Sequence, residues 1–174
     1  MAKKKSGFGL MTIIAFAVVV VGLVLVIVGY TADWVKTTVD VTIVSKSSTF
    51  KLSDLAEAYD TLGDTAADLM KGFGVMNAFA IITFIAMIVS ACGYVVSAII
   101  RLRILKLVTA LAGVVTVVCA VVVLITSITF AGDFIPDADV AIASIKGSIA
   151  VGPILMLIGG VLGGAATAVG AMKK

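Results

Sequence analysis

Four long apolar stretches alternate with polar segments along this chain. The apolar runs cover about 8–30, 73–100, 107–131 and 148–172, and none of them contains Asp, Glu, Lys, Arg or His. Each run supplies the roughly 20 apolar residues that an α-helix needs to cross the hydrocarbon core of a bilayer. The pattern therefore predicts an all-α membrane protein. We expect one membrane domain, residues 1–174, folded as an antiparallel bundle of four transmembrane helices.

The longest polar segment, residues 31–71, shows signs of its own folded structure. Val39, Val41 and Ile43 alternate with polar residues, and this period of two is typical of a half-buried β-strand. We expect residues 45–48 to form a turn, after which the chain returns as a second strand. The pattern thus predicts a β-hairpin in the loop between the first and second membrane helices.

The end of the same segment predicts an amphipathic helix over residues 54–71. Apolar residues recur there at spacings of three and four, and acidic residues fall on the opposite side. Because two strands alone are marginally stable in water, we expect this helix to cover the apolar face of the hairpin. We call residues 31–71 the cap, and we predict that the other outer loop, residues 132–147, is short and polar.

Composition agrees with a membrane protein and excludes much ordinary chemistry. Of the 174 residues, 61% are hydrophobic and 13% are charged, against about 45–50% and 25% in soluble domains. The chain has no His, which is the usual acid or base near neutral pH and a frequent metal ligand. The apolar runs also lack the ionisable groups on which pumps and ion-coupled transporters depend. We therefore predict that the protein is not an enzyme and has no catalytic residue, cofactor or metal site.

Two weaker chemical signals remain. Asp133, Asp137 and Asp139 offer oxygen ligands of the kind that Ca²⁺ prefers, but their spacing matches no EF-hand loop and an acidic solvated loop explains them more simply. Cys92 and Cys119 lie inside apolar runs, where cysteine packs as a small hydrophobic residue. We interpret neither group as a site.

The distribution of charge predicts the orientation in the membrane. The N-terminal leader, the connector 101–106 and the C-terminus hold eight Lys or Arg and no acid, whereas the other two loops hold all ten acids and five Lys. Basic residues in short loops remain on the cytoplasmic side. We therefore expect both termini in the cytoplasm, with loops 31–71 and 132–147 outside a plasma or cytoplasmic membrane.

Small residues in the fourth apolar run indicate where helices pack. Gly159 and Gly163 form one G-x-x-x-G pair, and Gly160 and Gly164 form a second that overlaps it. Such residues allow close helix contacts in lipid. The stripe predicts either an interface between copies of the chain or a contact with another helix of the same chain, and we favour the second.

Candidate interaction residues all lie in the cap. They are the only tryptophan of the chain, the alternating strand residues, and like charges spaced i, i+4 along the predicted helix. The set comprises Trp34, Val39, Val41, Ile43, Asp60, Asp64 and Asp68. We expect the tryptophan to anchor an interface and the strand residues to support strand pairing. The acidic residues offer a surface for a basic partner, although a solvated face is the simpler explanation.

This layout resembles the claudin/PMP22 group of four-span (tetraspan) membrane proteins. The shared features are four spans, cytoplasmic termini, and a first outer loop with strands followed by a helix. A tryptophan just after the first span, here Trp34, also fits. The Gly-Leu-Trp and paired-cysteine signature of that group is absent, so the resemblance is one of topology.

These expectations combine into a function class. We predict a structural or adhesion-type tetraspan protein at the cell surface that self-associates, or binds another membrane protein, through its cap. An accessory subunit of a larger membrane complex is the alternative, and a small channel or carrier is a third that the uncharged spans disfavour. The expected surroundings are the lipid bilayer and protein partners, without nucleic acid.

Overall fold

A computed structural model describes residues 10–41, 44–62, 70, 72–100, 102–134, 138–140 and 143–172. Its elements in chain order are α1 (Leu10–Thr31), β1 (Asp33–Val41), β2 (Val44–Lys51), α2 (Leu52–Leu62), α3 (Phe73–Ile99), α4 (Arg103–Phe134), β3 (Ala138–Val140), β4 (Ala143–Ile149) and α5 (Val151–Met172). The helices α1, α3, α4 and α5 are long and apolar enough to cross a membrane, which confirms the four predicted helices. The strands β3 and β4, in the middle and at the end of the predicted second loop, were not predicted.

Several boundaries differ from the expected ones. Helix α4 begins at Arg103, inside the predicted connector, and continues past residue 131 to Phe134. Helix α5 begins only at Val151 because the preceding residues belong to a strand. The predicted helix 54–71 corresponds in its first part to α2, which runs from Leu52 to Leu62. Residues 63–69 and 71 lie outside the described residues.

The predicted turn at residues 45–48 is wrong. These residues lie within β2, and the register that pairs Val41 with Val44 places the reversal between those two positions. Serine and lysine favour turns only weakly, and strand propensity depends strongly on the neighbouring strand. Here β1 offers a full-length partner, so the polar residues 45–48 extend the ladder.

Helices α1 and α5 pack against each other in antiparallel directions. A Cβ placed on Gly22 of α1 would lie 2.6 Å from Gly163 Cα, and one placed on Gly29 would lie 2.7 Å from Met156 N. Later residues of α1 therefore lie beside earlier residues of α5, so the two helices run in opposite directions. A Cβ on Gly113 of α4 would likewise lie 2.6 Å from the Gly164 carbonyl oxygen. Helix α5 thus lies between α1 and α4, with backbones in close contact on both sides.

Buried positions on α3 and α4 follow a seven-residue repeat. Their spacing alternates between three and four residues along each helix, which is the pattern of left-handed, knobs-into-holes packing. On α3 the buried residues are Phe73, Met76, Ala80, Thr83, Met87, Ser90, Tyr94 and Ser97. On α4 they include Thr109, Gly113, Thr116, Ala120, Val123, Ser127 and Phe130. The two helices therefore share one continuous apolar and hydroxyl-bearing seam.

Several buried hydroxyls bond within their own helices, whereas Ser90 Oγ and Thr116 Oγ1 lie 3.5 Å apart between α3 and α4, and Thr109 Oγ1 has no partner in the described part of the chain. Thr83 Oγ1 donates to the Phe79 carbonyl at 2.7 Å, and Thr167 Oγ1 donates to the Gly163 carbonyl at 2.7 Å. This bond to the preceding turn satisfies a buried Ser or Thr without a partner on another helix. These side chains therefore serve as small packing residues in the helix seams.

The strands form one antiparallel sheet in the order β2-β1-β4-β3. Strand β1 pairs with β2 from Asp33↔Lys51 to Val41↔Val44, and with β4 from Val35↔Ile149 to Val41↔Ala143. The predicted hairpin is therefore only half of the sheet. The second hairpin, β3–β4, provides the stabilisation that we expected from a helix.

Helix α2 packs on the ends of the long helices. Leu52 and Leu55 are buried, and the Tyr59 ring lies 5.3 Å from the ring of Phe73 at the start of α3. Gly72 precedes α3 with φ 83°, a left-handed conformation that glycine adopts without steric cost. This turn directs the chain from the α2 side into α3.

We expect Gly159→Ala to destabilise the fold. The added methyl would lie 2.6 Å from the Gly22 carbonyl oxygen and 2.8 Å from Val26 N, so α1 and α5 must separate. Overpacking of this kind costs typically about 1–3 kcal/mol. Thermal unfolding of the detergent-solubilised protein measures the change. Gly132→Ala is the matched control, since a Cβ there meets nothing within 4 Å; equal stability of the two variants would contradict this packing.

Candidate interaction surface

The base of the sheet is fixed to the helices by Trp34. Its side chain is fully buried, at 0% exposure, and its indole Nε1 donates to the Gly29 carbonyl of α1 at 3.0 Å. A Cβ placed on Gly152 of α5 would lie 2.7 Å from Trp34 Cδ1. The Ala150 amide donates to the Trp34 carbonyl at 2.9 Å. One residue therefore contacts the end of α1 and the start of α5.

A bulge explains how Trp34 reaches the interior. In the β1–β2 ladder Asp33 is opposite Lys51 and Val35 is opposite Phe50, so Trp34 is an extra residue without a partner on β2. A bulge redirects the side chains of its strand. Trp34 and Val35 are consecutive and both buried, so this end of β1 is covered on both sides.

We expected Trp34 to anchor an interface with a partner. In this structure its side chain is buried within the chain, where it anchors the sheet to the helices. Because Gly152 has no side chain, the indole can pack where the Cβ of a larger residue would stand.

The remaining strand candidates are placed unevenly. Val39 is half-buried and lies opposite Lys46 on one side and Ile145 on the other. The backbone of Val41 pairs with Val44 and Ala143, whereas Ile43 lies outside the described residues. The sheet is thus anchored at its base and open to solvent towards its tip.

The acidic face of the predicted helix is only partly described. Asp60 is exposed on α2, as are Asp54 and Glu57. Asp64 and Asp68 lie outside the described residues. Asp54 accepts hydrogen bonds from the Lys51 amide at 3.3 Å and from Ser53 Oγ at 3.2 Å, so its carboxylate helps to join β2 to α2.

The two edges of the sheet differ in length and charge. Strand β2 forms one edge with eight residues, and every side chain from Ser45 to Lys51 is exposed. It contains Lys46 and Lys51 and no acid. Strand β3 forms the other edge with three residues, including Asp139 and no base. An edge strand presents unpaired backbone groups to a further strand.

The contribution of the second loop was missed by the sequence analysis. Residues 143–149 read Ala-Ser-Ile-Lys-Gly-Ser-Ile, in which Ile145 and Ile149 alternate with Ser144, Lys146 and Ser148. This is the same period of two that predicted β1. The glycine and the adjoining apolar run concealed it.

The glycines of the fourth apolar run contact helices of the same chain. A Cβ on Gly159 would meet Gly22, and one on Gly163 would meet Met87 and Gly22. The other pair faces α4, since a Cβ on Gly160 would lie 2.6 Å from Ala120 Cβ and one on Gly164 would meet Gly113. In this structure the stripe is occupied by intrachain contacts.

The residues weighed for metal binding are not brought together. Among the described residues no group of three His, Cys, Asp or Glu is placed to hold a metal ion. Asp133 lies near the end of α4 and Asp139 on β3, whereas Asp137 is outside the described residues. Cys92 on α3 is exposed, Cys119 on α4 is buried, and both are free thiols.

No model of a known protein family matches the chain, and no curated protein is significantly similar to it. The resemblance to the claudin/PMP22 group therefore consists of the four long apolar helices and the small sheet beside them.

We expect the intrinsic fluorescence of the protein to report a buried indole. Trp34 is the only tryptophan and is 0% exposed, so its emission should be blue-shifted and resist quenching by acrylamide. The denatured protein is the control and should emit at longer wavelength and quench readily. An emission as red and as quenchable in the folded state would contradict the packing of Trp34 between α1 and α5.

Proposed function

We propose that this chain is an integral membrane protein whose four long helices span the bilayer as an antiparallel bundle. The support is an inverted surface: large apolar side chains face outward on all four long helices, such as Val24 at 51%, Ile85 at 54%, Ile125 at 57% and Val151 at 56% exposure. Soluble proteins rarely expose apolar patches of such extent. With the charge distribution described above, the termini are cytoplasmic and the sheet is extracellular.

We further propose that the protein has a structural or adhesive role and self-associates through the edges of its sheet. The observation that carries this proposal is the free, eight-residue edge of β2 with its row of exposed side chains. Addition of a strand to such an edge is a common mode of protein recognition. Because all copies in one membrane share an orientation, the direction of the strands decides which edges can pair.

The strand directions favour a head-to-tail contact between β2 and β3 of a neighbour. β1 leaves the end of α1 and β4 enters the start of α5, so the base of the sheet lies at the helices. Strands β1 and β3 therefore run from base to tip, and β2 and β4 run back. Rotation about the membrane normal preserves these directions. A β2–β2 contact would be parallel, whereas a β2–β3 contact is antiparallel and slightly more stable.

Charge supports the same pairing. Strand β2 carries Lys46 next to Ser45, which the ladder places level with Asp139 of β3. Opposite charges across paired strands are favourable, whereas like charges directly opposite are destabilising. A contact that joins two different edges leaves one edge free on each side, so it generates rings or open arrays.

Mixed cysteine cross-linking in native membranes tests this proposal. In a Cys92→Ala/Cys119→Ala background, copies with Ser48→Cys on β2 are co-expressed with differently tagged copies that carry Ala138→Cys on β3. We expect disulfide-linked dimers that contain one copy of each. Within one chain the two edges are about 14 Å apart across three strand spacings, beyond the roughly 7 Å between Cα atoms that a disulfide bridges.

Ser53→Cys on α2 is the matched control, because it is exposed but does not lie on the sheet edge. It should give no dimer with Ala138→Cys. Since the register of the contact is open, Ser47→Cys and Thr49→Cys belong in the same series. Dimers that contain two Ser48→Cys copies, and none with Ala138→Cys, would indicate a two-fold β2–β2 contact and contradict the head-to-tail one. A chain that stays monomeric throughout would contradict self-association.

An accessory subunit of a larger membrane complex is the second candidate. It is favoured by the exposed acids Asp54, Glu57 and Asp60 on α2, which suit a basic partner. In the cross-linking series this function would give a stoichiometric adduct with an unrelated protein in place of the dimer. Asp60→Lys should then abolish the adduct, whereas the neighbouring Thr61→Lys should preserve most of it.

A further inference from the structure

A groove lies between the start of α4 and the end of α5, at the end of the helices away from the sheet. It encloses about 400 Å³. Its α4 wall is one helix face, with positions spaced by three and four residues: Arg103, Lys106, Leu107, Ala110, Leu111 and Val114. Ala171 and Met172 of α5 form the opposite wall.

The packing of the two helices explains why the groove exists. A Cβ on Gly113 would lie 2.6 Å from the Gly164 carbonyl oxygen and 3.4 Å from Ala168 Cβ, so α4 and α5 are in contact just beyond the groove. Towards the start of α4 and the end of α5, Ala110 and Ala171 provide short side chains on the two walls of the groove. A shallow channel therefore remains along the helix pair.

The lining of the groove is divided between charge and apolar surface. Arg103 and Lys106 occupy the first turn of α4, and the next two turns present only apolar side chains to the groove. Leu107, Leu111 and Val114 are 65%, 56% and 50% exposed, although each is fully apolar. A ligand that satisfies both parts must carry an anionic group joined to a hydrocarbon chain.

The electrostatic surroundings favour an anion at this end of the molecule. All ten acidic residues lie between positions 33 and 68 or between 133 and 139, and those that the structure describes lie towards the sheet end of the helices. No acid therefore follows Arg103 and Lys106 on the wall of the groove. The planar guanidinium of arginine is well suited to two parallel hydrogen bonds with a phosphate, and a lysine adds a compact charge beside it.

We propose that this groove binds an anionic phospholipid of the cytoplasmic leaflet. The phosphate lies against Arg103 and Lys106, and one acyl chain lies along Leu107, Leu111 and Val114. This proposal rests on the proposed function, since it requires that α4 and α5 span the bilayer. Basic pockets between membrane helices on the cytoplasmic side commonly hold anionic headgroups. The two cations lie in the first turn of α4, just before its apolar part, and the end of an apolar span is where lipid headgroups lie.

Lipid retention by the purified, full-length protein tests the proposal. The protein is delipidated in detergent, titrated with phosphatidylglycerol or with phosphatidylcholine, and examined by native mass spectrometry and thermal unfolding. We expect saturable binding of phosphatidylglycerol with a rise in the unfolding midpoint, and a much smaller effect of phosphatidylcholine. Arg103→Gln/Lys106→Gln should weaken phosphatidylglycerol binding by roughly tenfold or more.

Two further variants separate the groove from general charge effects. Lys36→Gln/Lys146→Gln removes two positive charges from exposed positions on the two inner strands of the sheet and should bind phosphatidylglycerol as the parent does. Ala110→Leu fills the groove without a change of charge and should weaken binding. Glycerol phosphate, the soluble headgroup, should give no shift of the midpoint. A full shift with that headgroup alone would identify a phosphate site and overturn the lipid proposal.

Other outcomes are equally decisive. If the Arg103→Gln/Lys106→Gln and parent proteins bind phosphatidylglycerol equally, or if Ala110→Leu has no effect, the lipid binds only in the general layer around the helices. Either result would overturn the proposal. If the double variant does not fold, Arg103→Gln alone and Ala110→Leu together provide the same comparison. Membrane fractionation of the parent chain is measured first. A chain that leaves the membrane in carbonate contradicts the proposed function, whereas a membrane-bound chain without lipid preference contradicts only this inference.

Discussion

The close approach of α1 and α5 determines where β1 and β4 meet. At Gly22 and Gly29 on α1 and at Gly159 on α5, backbone atoms of the other helix occupy the space that a Cβ would need. Lipid provides no hydrophobic drive for helices to associate, so contacts of this kind, between small residues, decide which helices pair. Strand β1 begins two residues after α1 ends, and β4 ends two residues before α5 begins. Pairing of the helices therefore places the strands side by side.

Trp34 joins the base of the sheet to the paired helices α1 and α5. Its indole bonds to the end of α1, packs on Gly152 of α5, and its own carbonyl accepts the Ala150 amide. In residues 31–71, which include no cysteine, a buried aromatic side chain with its indole hydrogen bond and one backbone hydrogen bond thus join the sheet to the helices. The result is a sheet anchored at one end, with the side chains of the β2 edge exposed from Ser45 to Lys51, and this form underlies the proposed role in self-association.

Local patterns predicted the elements but not the contacts between them. Apolar runs gave the four helices because insertion in a bilayer requires length and lack of charge, and alternation from Val39 onward gave β1. The pairing of β1 with β4 was not predicted, since Lys36 and Ser148 are 112 residues apart and neither local pattern names a partner. The bulge at Trp34 was also missed, because it depends on the register with β2. Gly159 and Gly163 were recognised as packing residues, but their choice of α1 depends on the matching Gly22.

The sheet depends on the pairing of β1 with β4, and one disulfide tests this pairing directly. Lys36 and Ser148 are exposed, directly opposite residues of β1 and β4, at the roughly 4.5–5.5 Å Cα separation of antiparallel neighbours. In the background without native cysteines, Lys36→Cys/Ser148→Cys should form an intramolecular disulfide in membranes, seen as a faster-migrating monomer on a non-reducing gel. Ser47→Cys/Ser148→Cys, whose strands lie on either side of β1, should not. Free thiols in the first pair, or cross-links only between copies, would contradict the account.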